Sequence, residues 1–299
     1  MTQTKCGFIA ICGAPNVGKS TLLNQIIGDK IAIVTPKVQT TRINTPGIYT
    51  KDDTQLVFID TPGIFKAKGS LEQAIVSTAI HGLKGADQVL LLIDAIKGFS
   101  DDHQILIKIF AEKKIKPILV INKVDLVTSS KLNLLLKIIN PEENFAQVFT
   151  ISALTNHNVT ALMDYLIENA PYSPWHYDLE QLTTLPMRLI ASEITREKLF
   201  LNLQDELPYN LTVETDSWVE GKKNYVRIDQ SIIVTRDTHK QIILGSNGSK
   251  IKKIGIAARA DIEKLTNLKV GLFLYVKVRK DWVNDPNCYK YLGMVRPNK

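Results

Sequence analysis

Over its first 170 residues the chain alternates two hydrophobic rhythms. Short continuous apolar runs have the character of strands buried on both faces. They are Phe8-Ile9-Ala10-Ile11-Cys12, Gln55-Leu56-Val57-Phe58-Ile59, Gln88-Val89-Leu90-Leu91-Leu92-Ile93-Asp94, Pro117-Ile118-Leu119-Val120-Ile121 and Val148-Phe149-Thr150-Ile151. Between them, apolar residues spaced for one helical face predict helices over 21–27, 71–84, 102–113, 130–139 and 159–169. This alternation predicts an α/β domain over residues 1–170, with a mainly parallel sheet covered on both sides. Pro46, in Ile43-Asn44-Thr45-Pro46-Gly47, lacks a ladder donor and puts the start of a strand there in doubt.

The rhythm stops at Ala170-Pro171-Tyr172-Ser173-Pro174-Trp175, and the prolines and polar residues after it predict a linker over 171–185. A second pattern follows over 186–299. A long amphipathic helix over 186–204 precedes two alternating half-buried strands, 211–215 and 225–234, joined by a turn over 220–224. A short helix over 239–244, a basic helix over 249–259 and a strand over 270–278 complete an α-β-β-α-α-β order, with a C-terminal tail beyond. An α+β domain is expected.

Composition narrows the setting. No apolar run is long enough to span a bilayer, and Met1-Thr2-Gln3-Thr4-Lys5 lacks a secretory apolar core, so a cytoplasmic protein is expected. Cys6, Cys12 and Cys288 have no metal-ligand spacing and read as reduced thiols, and the five histidines form no cluster. Of the net charge of +7, most lies after residue 170. Within 238–280 ten basic residues stand against only Asp261 and Glu263, a balance suited either to a polyanion or to a solvated face.

The candidate chemistry lies at the ends of the predicted strands. Gly13-Ala14-Pro15-Asn16-Val17-Gly18-Lys19-Ser20, followed by Thr21, is a G-x-x-x-x-G-K-S loop between a strand and a helix. Its glycines free backbone N–H groups to wrap phosphates, and the helix N-terminus favours the same charge. Lys19 is suited to the β- and γ-phosphates and the Ser20 hydroxyl to Mg²⁺. Asp60-Thr61-Pro62-Gly63 closes another strand, where Asp60 could hold the Mg²⁺ shell and the Gly63 N–H could sense a γ-phosphate. In Val38-Gln39-Thr40-Thr41-Arg42 either threonine could complete the metal shell. Asn122-Lys123-Val124-Asp125 names the base, since an ionised Asp125 can accept from guanine N1–H and N2–H₂, donors that adenine lacks. Such a mismatch discriminates by roughly 10⁴-fold or more. Asn122 can reach the opposite base edge, and the Lys123 stem can cover its face. Ser152-Ala153-Leu154 could line the same pocket with backbone groups. In the second pattern, Gly245-Ser246-Asn247-Gly248 is a G-x-x-G loop before the basic helix, with Lys250, Lys252 and Lys253 as a positive rim, as in a KH module that approaches RNA.

On these motifs, and on Ala191-Ser192-Glu193-Ile194-Thr195-Arg196-Glu197-Lys198 and Glu206-Leu207-Pro208-Tyr209, residues 5–299 resemble the Era family of bacterial GTPases. The resemblance implies a P-loop GTPase domain followed by a type II KH domain, GTP/GDP and Mg²⁺ as ligands, and Thr41 as the switch threonine. It also implies binding near the 3′ end of 16S rRNA, a role in small-subunit assembly, and a peripheral association with the inner membrane face. A monomer is expected. Ile64 occupies the place where a water-orienting glutamine follows Asp-x-x-Gly in Ras-type enzymes, so slow intrinsic hydrolysis is expected, with Lys19, Thr41 and Gly63 nearest the chemistry. Asn16 either supplies an oxygen to K⁺, as in potassium-stimulated relatives, or is only a turn residue. Two other classes are an ATP-using phosphotransferase, disfavoured by Asp125, and an RNA-binding scaffold for which nucleotide is only a ligand.

Overall fold

The computed structural model describes residues 3–139 and 144–294; the last five residues of the expected tail and the first two of the chain lie outside that description. The chain divides into two compact units, one built mainly on Thr41–Thr184 with the segment up to Ala32, the other on Leu185–Gly293 together with Ile33–Thr40.

In the first unit the buried apolar runs become β1 (Lys5–Gly13), β3 (Thr54–Asp60), β4 (Gln88–Asp94), β5 (Ile118–Asn122) and β6 (Val148–Thr150), all mutually parallel. With β2 (Thr45–Lys51), antiparallel to β3, they form a six-stranded sheet in the order β2-β3-β1-β4-β5-β6. Helices α1 (Lys19–Ile27) and α5 (Val159–Glu168) pack through Leu22, Leu23, Leu162 and Leu166 on one face. Helices α2 (Ser70–Gly82), α3 (Asp101–Lys113) and α4 (Ser129–Ile139) cover the other through Ala79, Leu106, Phe110 and Leu135. A sheet buried on both faces needs apolar side chains at every strand position, which is why these strands read as unbroken runs. The doubt over Pro46 is answered by position: it is the second residue of an edge strand, where the missing N–H interrupts no central ladder.

Of the linker expected over 171–185, residues 171–184 are strapped to this unit. Cys6 N–H donates to the Pro171 carbonyl, Gln55 Oε1 accepts from the N–H groups of His176 and Tyr177, and Ile48 N–H donates to Leu182 O. The Thr183 hydroxyl reaches the Pro46 carbonyl at 2.5 Å. Edge β2 thereby gains the partners it lacks on its open side.

The second unit runs α6 (Met187–Asn202), β7 (Leu211–Gly221), β8 (Tyr225–Val234), α7 (Asp237–Leu244), α8 (Ser249–Thr266), β9 (Lys269–Val278) and α9 (Pro286–Leu292). The sheet order is β7-β8-β9, with β7 and β8 antiparallel and β8 and β9 parallel. Val226, Ile228, Ile232, Val270 and Val276 point into the core with Ile254 and Ile262 of α8. Strand β7 runs six residues past its expected end, with an irregularity between Thr215 and Ser217. The turn tightens to 222–224, where Lys223 and Asn224 both take positive φ.

Helix α6 is buried along most of its length, polar positions included. Arg196 is 1% exposed; it is paired with Glu193 and donates to the carbonyl of Thr40. Glu197 accepts the Val34 N–H, Lys37 reaches the carbonyl of Leu203, and Lys198 bridges Glu197 and Asp261. These bonds tie Ile33–Thr40 into the second unit. Leaving either partner of such a buried pair alone would cost about 3–5 kcal/mol, so the group is bound as a set.

Candidate functional site

The carboxyl ends of β1, β3, β4, β5 and β6 open on one side of the first sheet, where open α/β sheets bind ligands. After β1 the chain wraps through residues 13–18 into the N-terminus of α1. Gly18 takes φ +99, and a Cβ there would lie 2.3 Å from Asn122 Nδ2, so only glycine lets the loop meet β5. Through that gap Asn122 Nδ2 donates to Val17 O at 2.9 Å while its Oδ1 accepts the Ala153 N–H at 2.9 Å. One side chain thus links the phosphate-type loop, β5 and the segment after β6.

Lys19 is 5% exposed, and its ammonium donates to the carbonyls of Gly13 at 3.2 Å and Ala14 at 2.9 Å. Burial lowers its pKa, opposed by the nearby Asp60 charge. Ser20 Oγ donates to Asp60 Oδ2 at 2.5 Å and lies 3.0 Å from Thr41 Oγ1. Asp60 is fully buried, its carboxyl is pushed up to about 6 by burial, and its Oδ1 has no hydrogen-bond partner among the described residues. Three oxygen-bearing side chains with a spare buried carboxylate oxygen make a donor set suited to a hard divalent cation. Thr40, the other candidate, is turned away: its hydroxyl bonds Thr35 Oγ1 and the Lys37 carbonyl.

Gly63 passes close under the loop, where a Cβ would sit 2.9 Å from Pro15 backbone atoms. The next N–H, from Ile64, donates to Gly13 O at 3.2 Å, and the Ile64 side chain is wholly buried in the core. No polar side chain therefore follows Gly63 into the site from this position.

On the base side, Lys123 takes φ +66 and its ammonium donates to Asn16 O and Asp94 Oδ2, both at 2.7 Å. The stem is stretched between two fixed points and stands as a wall. Asp125 lies exposed in the short turn Val124–Leu126, Leu154 is 77% exposed, and Ser152 is buried with its N–H paired to His157 O. Val17 is buried, and Thr21 is half-buried in the first turn of α1. Asp94 was not singled out from the sequence. Its Oδ1 also accepts the N–H groups of Ile96 and Lys97, and these bonds with Lys123 outweigh burial and hold its carboxyl below the usual range. Its position as the last residue of an apolar run was the available signal, since the other site segments share it.

In the second unit Gly245 adopts φ +70 with ψ −179, and Gly248 takes φ +75 as the N-cap of α8. A Cβ on Gly245 would lie 2.8 Å from Lys250 Cβ. Ser246, Asn247, Lys252 and Lys253 are exposed and Lys250 is half-buried. Beside the loop a groove of about 300 Å³ runs between α8 and β9, lined by Lys252, Gly255, Ile256, Arg259, Leu272 and Leu274 among others. Of these the sequence reading named only Lys252. The rest are spaced over two elements, and only the i, i+3, i+4 and alternate-residue rhythms relate them.

Residues 8–123 match the family model described as 50S ribosome-binding GTPase, and residues 206–283 match the KH domain. GTPase Era of Brucella suis biovar 1 is 47% identical over 296 residues, covering 99% of this chain and 95% of the relative. GTPase Era of Rickettsia conorii is 48% identical over 292 residues, covering 98% and 86%. An Aquifex aeolicus Era variant bound to GDP and AlF4⁻ superposes with a TM-score of 0.92 at 34% identity, covering 97% of this chain and 99% of that one. The same figures describe an Era complex with MgGDPNP and nucleotides 1506–1542 of 16S ribosomal RNA.

Proposed function

The chain belongs to the Era family of GTPases, and from that premise we propose that it is a GTP-hydrolysing switch whose second unit binds 16S rRNA near its 3′ end during small-subunit assembly. The observation that carries the nucleotide reading is the meeting of Ser20, Thr41 and Asp60 under a glycine loop tied by Asn122 and Lys123 to the base side. Backbone N–H groups of 13–20 and Lys19 take the phosphates; Asp125 takes guanine N1–H and N2–H₂; Ala153 and its neighbours border the base. Ser20, Thr41 and Asp60 would hold Mg²⁺, which when bound neutralises charge on the phosphates. Gly63 N–H is the phosphate sensor in this reading.

The switch reading rests on Thr40 and Thr41. They are consecutive, yet the Thr40 carbonyl is bonded to Arg196 within the second unit, while the Thr41 hydroxyl contacts Ser20 within the first. A phosphate-dependent pull on Thr41 therefore acts on a segment held by α6, the helix that packs against the strands of the KH sheet. With Ile64 buried, water orientation falls to backbone, a partner or a cation; in this proposal K⁺ sits near Asn16, and equal turnover in K⁺ and Na⁺ overturns that part. The buried Ile64 also favours a second reading, in which nucleotide is a ligand and hydrolysis is dispensable. Among the described residues no helix is long and apolar enough to cross a membrane, so the membrane contact implied by the resemblance would be peripheral.

Crosslinking and sequencing of bound RNA, with a non-hydrolysable GTP analogue and with GDP, tests the proposal. Enrichment of the 16S 3′ end in one state supports the switch, equal enrichment in both supports the liganded scaffold, and no enrichment removes the RNA reading.

A further inference from the structure

The second unit's sheet has two faces, and the outer one carries a constructed aromatic surface. The register pairs Arg227 with Gly271, Asp229 with Phe273 and Ser231 with Tyr275, which places these side chains on the face away from Val226, Ile228 and Val276. Tyr225, Phe273 and Tyr275 are 39%, 42% and 47% exposed there. Three unhidden rings on one open face are not needed for the core, which is filled from the other side.

Their arrangement is fixed by polar contacts. Arg227 forks onto Asp229, Nε to Oδ2 at 3.0 Å and Nη2 to Oδ1 at 3.1 Å, while its Cζ stands 4.4 Å from the Phe273 ring centroid. Ser217 Oγ donates to the same carboxylate at 2.7 Å, and Tyr275 Oη reaches it at 3.4 Å. A guanidinium clamped in this way lies over one ring and presents its other side outward. Tyr225 is accommodated because β9 has glycine below it: a Cβ on Gly271 would lie 2.0 Å from Tyr225 Oη. Phe273 also lines the groove beside the G-x-x-G helix, so the surface and the groove are continuous across edge strand β9. Lys222 and Lys223, in the turn leading into Tyr225, add positive charge at one end.

We propose that the outer face of the β7-β8-β9 sheet, through Tyr225, the Arg227–Phe273 stack and Tyr275, is a base-stacking platform for single-stranded RNA that continues out of the α8–β9 groove. Every base has a stacking face, so such a platform extends the bound length without adding strong sequence preference. This rests on the reading of the second unit as an RNA-binding domain. Mixed pairs on the same face, Lys277 with Asp216 and Arg279 with Glu214, keep it from being a plain electrostatic track. Stacking is therefore the interaction that the platform supplies.

The full chain, with a GTP analogue, is titrated with a four-nucleotide and a twelve-nucleotide RNA of 16S 3′-end sequence, as wild type and as Tyr225→Ala/Arg227→Ala. Removing stacking partners should weaken the twelve-mer about tenfold to hundredfold while leaving the four-mer and GTP turnover unchanged. A 4-thiouridine twelve-mer on the wild type should crosslink to peptides of β8 and β9 carrying Tyr225 and Tyr275. Unchanged twelve-mer affinity with no such crosslinks overturns the platform and leaves the groove intact. Equal weakening of both RNAs overturns it as a separate surface. Loss of binding to isolated small subunits, with free-RNA affinity unchanged, overturns it in favour of a protein contact. Failure of the wild type to bind either RNA removes the RNA-binding reading itself.

Discussion

In the first unit most candidate ligand groups are buried and fixed at the ends of parallel strands, with Asp125 exposed at the rim, whereas in the second they stand on an exposed helix and an open sheet. Asp60 is wholly enclosed, and Asn122 and Asp94 are each 2% exposed, every one bonded to a neighbouring segment. Lys252, Lys253, Phe273 and Tyr275 face outward instead. The contrast teaches how each kind of site is encoded. An enclosed site must supply every hydrogen bond from the protein, so neighbouring residues of a short segment are all constrained. An open one fixes only the residues of one face, and water satisfies the others.

Predictions that sharpen this contrast begin with the base contact. Asp125→Asn should lower GTP affinity about 10⁴-fold while admitting xanthosine triphosphate, whose C2 carbonyl accepts where guanine donates. Because Asp125 is exposed in a short turn, the thermal stability of the nucleotide-free protein should stay unchanged. Titration with both nucleotides and a melting curve check this.

Next is Arg196→Ala, which strands the buried Glu193 carboxylate and frees the Thr40 carbonyl. A loss of about 3–5 kcal/mol is expected, read by denaturant unfolding of the second unit. A loss under 1 kcal/mol would show that Ile33–Thr40 is not held as described.

Within the G-x-x-G loop the two glycines should differ. Gly245→Ala meets both a glycine-only backbone conformation and Lys250, and should cost about 2–3 kcal/mol with weaker RNA binding. Gly248→Ala has open space and only a left-handed backbone to tolerate, at about 1 kcal/mol. Equal effects would mean that the loop is not rigid.

The smallest effect is a pH slope. Burial holds His103 in α3 down at about 4, against 6.5 when unfolded. Between these values the unfolded chain binds more protons at this residue, so the contribution of His103 to the first unit's stability should rise with pH from about 4 to 6.5 and level off above. It is opposed in the same unit by Asp60, whose raised carboxyl contributes stability that falls from about pH 4 to 6. The half-buried Asp229 of the second unit, held at about 2 mainly by Arg227, contributes its own slope only below about pH 5. His103→Gln, which can keep the capping interaction with Ser100, should remove the His103 contribution. The stability difference between wild type and variant should then shift in favour of wild type as pH rises from about 4 to 6.5, read from paired melting curves across this range.

The same contrast decides what could be read in advance. The buried runs of β1, β3, β4 and β5 announce a parallel sheet because both faces are covered, and the strand-end tetrapeptides are legible because most residues in them are constrained by the fold. Asp94 escaped as a single residue with no neighbouring motif, although it fixes Lys123. Thr40 and Thr41 could not be separated by type, since both carry the same hydroxyl and only the fold turns one toward Ser20 and the other toward Thr35. The tie between 33–40 and α6 was invisible because its bonds use backbone groups 156 or more residues away. The groove residues Arg259, Leu272 and Leu274 read as ordinary amphipathic positions until α8 and β9 are laid side by side.

The central claim is that nucleotide state at the buried site governs the open one. Its most direct test is the affinity of the full chain for an RNA of 16S 3′-end sequence, measured with a GTP analogue and with GDP at saturating Mg²⁺. A difference of about tenfold or more, abolished when Thr41→Ala removes the hydroxyl beside Ser20, is the expected result. Equal affinities in both states would contradict the account.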